Sequence, residues 1–273
     1  MMVRRMTSPT GLSTSVPSSV ATTSRDVYDC RARQKTWVPT LTGKAADMTR
    51  SKGGLAGARR RRRELAVPGY ASGFDAPLRA TADALERARH ARSIVLVEGI
   101  SDQIAVETLA SLQARDLTKE GVAVVPIGGA QSVSKFLARF GPVGAGLRVS
   151  GLCDAAEEQH FCRQLAKVGY AHPDTRSELE RAGFFVCDRD LEDELIRAVG
   201  PDAIETILAE EEDLASFRTL QKQAAWRDAC FDDQLRRFLG AGARRKLRYA
   251  SLFVLALDLE RQPRPLRDVL SRA

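Results

Sequence analysis

Short, uninterrupted apolar runs alternate with helix-spaced ones through the middle of the chain. Ile94-Val95-Leu96-Val97 is followed by Val122-Ala123-Val124-Val125 and then by Phe184-Phe185-Val186-Cys187. These runs are too short for helices and lack the alternating polar position of a half-exposed strand, so they suit strands covered on both faces. With the apolar stretch before Asp154, the pattern predicts strands over 93–98, 121–127, 147–153 and 183–187. Between them, Ile104, Ala105, Thr108, Leu109 and Leu112 recur at helical spacing, as do Val133, Phe136, Leu137 and Phe140. Helices are predicted over 101–115, 132–140 and 155–168, and a leading one over 76–92 carries Leu78, Ala82, Leu85 and Ala88. Strands alternating with helices imply a parallel sheet with right-handed crossovers. After Leu191 the rhythm is helical only, with Leu191, Leu195, Ile196 and Val199 on one face. Further helices are predicted over 203–211, 234–239 and 244–259, and a short one opens at Pro263 and Pro265. The expected fold is α/β: a Rossmann-like parallel sheet of about four strands with flanking helices, followed by a helical C-terminal extension.

Composition divides the chain. Its 273 residues can hold one or two domains, and 44% apolar residues suffice for a core. The net charge of +7 is concentrated at the start. Residues 1–63 hold 14 of the 42 Lys and Arg but three of the 35 acidic residues, which leaves the remainder at −4. That segment is rich in Ser, Thr, Arg and Gly and lacks apolar periodicity, so it reads as disordered. Its run Arg59 to Arg63 is either a solvated basic stretch or a nonspecific phosphate contact. The divisions expected are a disordered basic segment over 1–63, an α/β domain with its leading helix over 76–195, and a helical extension over 196–273. A mildly acidic body argues against a broad DNA-binding face of its own and suits a cluster of carboxylates that holds divalent cations. Five cysteines without a C-x-x-C pair suit a reduced, cytoplasmic setting, and no stretch is long enough to span a membrane.

The chemistry gathers at predicted strand ends. In open α/β sheets, ligands bind outside the carboxyl ends of the strands. Glu98 stands at the first such end, Gly99 allows a turn, Ser101 is a good N-cap, and Asp102 falls in the first helical turn. Two carboxylates four residues apart are thus aimed at one crevice. Gly128-Gly129 follows the second strand, Asp154 ends the third, and Asp190-Leu191-Glu192 follows the fourth.

In this order, the stretches Val97-Glu98-Gly99-Ile100-Ser101-Asp102, Pro126-Ile127-Gly128-Gly129, Gly151-Leu152-Cys153-Asp154 and Asp188 to Leu195 resemble the Toprim domain. That module serves topoisomerases, bacterial primases and nucleases of the OLD (overcoming lysogenization defect) family, and the fit is closest to the OLD type. The resemblance implies Mg²⁺- or Mn²⁺-dependent phosphoryl transfer on nucleic acid, with DNA the expected substrate and phosphodiester hydrolysis by an endonuclease the expected reaction. It implies metal ligation by Glu98, Asp102 and Asp154, with Glu192, then Asp190, completing the site. Glu98 would also act as general acid or base. Lys246, in a run that resembles a late lysine of OLD nucleases, would stabilise charge on the scissile phosphate. The family's Asp-x-Asp pair is broken here: Asp154 matches its first member, but Ala156 stands at the second, and Glu157 or Glu158 would have to reach the same ion. A catalytically impaired module that binds nucleic acid or a partner is therefore the alternative, and a primase-type nucleotidyl transferase a third. Asp190 reads equally as a helix cap, and Glu157 and Glu158 as acids favoured by a helix dipole. The chain has no G-x-x-x-x-G-K-[ST] loop and is not expected to hydrolyse ATP; because OLD nucleases pair this module with an ATPase domain, the resemblance implies an ATPase on a separate partner chain.

Overall fold

The structure is a computed structural model and describes residues 69–70 and 75–273. The expected disordered segment over 1–63 lies outside the described residues. Four strands, β1 (Ser93–Val97), β2 (Val122–Pro126), β3 (Arg148–Asp154) and β4 (Phe184–Cys187), form one sheet in the order β2-β1-β3-β4. All pairs are parallel, with Val97 opposite Pro126, Leu96 opposite Gly151, and Asp154 opposite Cys187. The register brings the carboxyl ends of all four strands to one edge. A four-stranded parallel sheet with flanking helices is the α/β fold expected from the sequence.

The continuous apolar runs are explained by cover on both faces. Side chains alternate across a strand. Ile94 and Leu96 join Val125, Cys153 and Phe184 on one face, under α1 (Ala76–Ala88), α3 (Val133–Phe140) and α4 (Glu158–Lys167). Val95 and Val97 join Val124, Leu152 and Cys187 on the other, under α2 (Ile100–Leu112). A short α5 (Arg176–Arg181) precedes β4; one buried side chain, Leu179, gives it too little periodicity to be read from sequence. At Gly151 the backbone of β3 leaves no room for a side chain: a Cβ there would sit 2.7 Å from the Leu96 carbonyl oxygen of β1.

The C-terminal helices are α6 (Leu191–Val199), α7 (Pro201–Glu210), α8 (Leu214–Gln221), α9 (Phe231–Gly240), α10 (Ala243–Leu255) and α11 (Arg264–Arg272). Their apolar faces complete the second core. Leu195, Ile204, Phe217, Leu235, Tyr249, Phe253 and Leu266 pack in the same cluster as Val95 and Val97 of the sheet. Helix α10 lies along α2. No helix among the described residues is long and apolar enough to cross a membrane.

Candidate metal centre

Adjacent strands bring the first two carboxylates together. Glu98 directly follows β1 and Asp154 ends β3, its neighbour in the sheet. The turn after Glu98 starts α2 one step earlier than the sequence suggests. Gly99, not Ser101, is the N-cap, and its N–H donates to Asp102 Oδ2 at 2.9 Å. Asp102 is still in the first turn and still faces the crevice. The Gly128-Gly129 turn fixes the same end of β1 from the other side. The N–H groups of Gly128 and Gly129 donate to the Glu98 carbonyl at 3.0 and 3.1 Å. Their φ angles of +74° and +108° favour glycine.

The fourth strand end and the C-terminal helices add the remaining groups. Asp190 caps α6 and accepts from the Asp193 N–H at 2.8 Å. Arg236, on α9, grips both Asp190 oxygens, with Nη1 2.7 Å from Oδ1 and Nη2 on Oδ2. Glu192, in the first turn of α6, is ion-paired to Lys246 of α10 at 3.3 Å. Asp102, Ser101, Leu191, Glu192, Lys246 and Phe253 line one small crevice where α2, α6 and α10 meet. After Asp154, Glu158 turns to Arg176, whose Nε and Nη2 lie 2.9 and 2.8 Å from Oε2. Glu157 instead shares the field of Glu98, and Ala156 is exposed.

Proton affinities describe a cluster short of positive charge. Burial, followed by repulsion from Glu98, Asp190 and Asp102, pushes the Asp154 carboxyl up to about 8. Burial pushes Asp102 up to about 6, against the pull of the Gly99 N–H and of Lys246. Glu98 is also raised, by burial and by Asp102 and Glu157. Burial would raise Asp190 as well, but Arg236 and the Asp193 N–H outweigh it and hold Asp190 below the ordinary range. Lys246 loses proton affinity to burial and regains more from Glu192 and Asp102, for a net rise. Glu98 Oε1 is buried with no hydrogen-bond donor among the described residues. A buried carboxylate oxygen left unpaired beside mutually repelling carboxylates fits a hard divalent cation, which takes oxygen ligands and relieves the repulsion. Among the described residues, no three His, Cys, Asp or Glu side chains are gathered closely enough to hold an ion as they stand.

Residues 90–155 match the family described as "Overcoming lysogenization defect protein-like, TOPRIM domain". That stretch is similar to an OLD-like Toprim domain. The match runs from before β1 to the residue after Asp154, and so contains Glu98, Asp102 and Asp154. In fold, the chain is similar to the C-terminal region of the Xanthomonas campestris pv. campestris OLD protein, at 21% identity over 68% of this chain and 93% of that one, with a TM-score of 0.56. The C-terminal region of the Burkholderia pseudomallei OLD protein gives 20% identity over 67% and 96%, with a TM-score of 0.51. No curated protein matches the chain. The structural likeness extends past the Toprim match, so the helical C-terminal part belongs to the shared fold.

The strand ends thus bring together Glu98, Asp102, Asp154, Asp190, Glu192 and Glu157 in one electrostatic field. Lys246 joins them from α10. Sequence reasoning missed Arg236. Its partner lies 46 residues away, and no spacing rule links a cap on one helix to a guanidinium on a later one.

Proposed function

We propose that this chain is a divalent-metal-dependent nuclease that hydrolyses phosphodiester bonds in nucleic acid, with DNA as substrate. The observation that carries this reading is the set of carboxylates at adjacent strand ends, whose repulsion Lys246 and Arg236 relieve only in part and one of whose oxygens is buried without a donor among the described residues. Glu98, Asp102 and Asp154 would hold Mg²⁺ or Mn²⁺, with Glu192 and Glu157 in the same field. When bound, such ions polarise the phosphate and lower the pKa of water, the attacking nucleophile. Glu98 would also take or return a proton, a role its raised proton affinity suits. Lys246, half exposed at 48% and held by Glu192, offers its ammonium to the negative charge that grows on the scissile phosphate. Leu191 and Phe253 supply apolar wall to the crevice beside these charges. A separate ATPase chain is the proposed partner, on the resemblance to OLD nucleases alone.

The test is nicking of supercoiled plasmid with Mg²⁺ or Mn²⁺, comparing wild type with Glu98→Gln and Asp154→Asn. Metal-dependent nicking that falls at least about 100-fold in both variants is expected, the scale of losing a general acid–base group. Activity unchanged in both would sink the assignment. A second reading rests on one observation: Ala156, exposed beside Asp154, contributes no ligand. On that reading the domain binds nucleic acid without cutting it. A folded wild type that retains DNA on a filter but never nicks it would favour this alternative.

A further inference from the structure

Two ion pairs cross from the C-terminal helices to the strand-end carboxylates, and they differ. Lys246 is 48% exposed and meets one oxygen of Glu192. Arg236 is 20% exposed and occupies both oxygens of Asp190, which is itself 26% exposed. Asp190 Oδ1 also accepts from the Asp193 N–H at 2.8 Å, so this carboxylate is shared by three donors. A carboxylate satisfied in this way has little left for a cation. The bidentate fork also fixes the carboxylate's plane, which a lysine would not do. The same contact pins the start of α6, and Glu192 follows two residues later.

We infer that Arg236 is a positioning residue that holds Asp190 as the cap of α6 and keeps it out of the metal's ligand set. The inference rests on the proposed metal-dependent function. Arg236 thereby does two things. It sets Glu192 at a fixed height beside Lys246 and Asp102. It also cancels one negative charge at the rim of the site, so that cations are held by Glu98, Asp102 and Asp154 without a fourth carboxylate. Removing the guanidinium would release Asp190 toward the ion and make the site more negative. Metal would then bind tighter, which damage to the fold cannot imitate.

The experiment is calorimetric titration of the full chain with Mn²⁺, alongside thermal melts. It compares wild type, Arg236→Gln, Arg236→Lys, Asp154→Asn, and the double variant Asp190→Asn with Arg236→Gln. The double variant removes the ion pair without changing net charge, and asparagine still caps a helix. Arg236→Gln is expected to bind Mn²⁺ about 10-fold tighter, the scale of changes beyond the direct ligands of a metal. Arg236→Lys is expected to return toward wild type, and the double variant to lie within about 3-fold of it. Asp154→Asn should lose at least about 10-fold. Arg236→Gln with unchanged or weaker affinity overturns the inference. If that variant does not fold, the double variant decides: a loss as large as that of Asp154→Asn makes Asp190 a ligand and overturns it equally. Wild type that binds no Mn²⁺ at millimolar concentration sinks the metal-dependent function itself, and the inference with it. Wild type that binds while Asp190 behaves as a ligand sinks the inference alone.

Discussion

Asp154 is the residue on which the electrostatics turn. Burial and three neighbouring carboxylates raise its carboxyl to about 8, and Asp102 stands at about 6. A raised carboxyl pKa favours the folded state below the ordinary value near 4 and loses that contribution as pH rises through the folded value. Without metal, the melting temperature should therefore fall as pH rises from about 5 to about 8, and Asp154→Asn should flatten that slope. A divalent cation competes with those protons. Mn²⁺ affinity is expected to rise over the same range, and binding at pH 7 should release about one proton per chain. Calorimetry in two buffers of different ionisation enthalpy measures that number. An affinity independent of pH between 6 and 8 would mean that these carboxylates do not meet the ion.

Among the elements, the turn between β2 and α3 links backbone geometry to the site. Gly129 has φ +108° and ψ 153°, a region closed to side chains, although a Cβ there would meet no atom within 4 Å. The cost of Gly129→Ala is thus conformational rather than steric, about 1–3 kcal/mol. Because Gly129 and Gly128 both donate to the Glu98 carbonyl, the loss should reach Mn²⁺ affinity as well as stability. Gly146→Ala is the control, at φ +67° and without a bond to the site; it should lower the melting temperature and leave affinity alone. Equal effects on affinity would show that the turn does not support Glu98. What the sequence revealed and what it hid follow from the range of the contacts involved. Strands β1 and β2 could be read because burial on both faces leaves continuous apolar runs. Asp102 could be placed because its position depends only on a turn three residues long. Helix α8 escaped notice because only Phe217 and Leu220 are buried in it. The choice of Gly99 over Ser101 as cap depends on the Asp102 side chain reaching back to accept from the Gly99 N–H, a one-way contact that cap preferences alone do not predict. Arg236 was hidden for a different reason: its role exists only once α9 has docked beside α6.

For the whole molecule, the question is whether the helices after β4 are an appendage or part of the domain. The sheet answers through its second face. Val95 and Val97 share a cluster with Leu235, Tyr249 and Phe253, the last three at most 1% exposed. Helices α9 and α10 also deliver Arg236 and Lys246 to the strand ends. Removing α7 to α11 would expose that apolar face and take both cations from the carboxylates. A chain ending at Gly200 is therefore expected to aggregate or to remain unfolded. The milder change Phe253→Ala removes a ring of α10 buried beside α2 and α6 in the core shared with the sheet and should cost about 3–5 kcal/mol. If the sheet and the helical part share one core, urea unfolding of Phe253→Ala will stay a single transition, shifted to lower urea with its slope unchanged. Two transitions, with only the first displaced, would make the helical part a separate unit. Lys246 would then reach the carboxylates across a domain boundary, and metal affinity would survive the first transition. A single transition instead ties the packing of Phe253 to the placement of Lys246, so the same variant should weaken Mn²⁺ binding without touching any ligand.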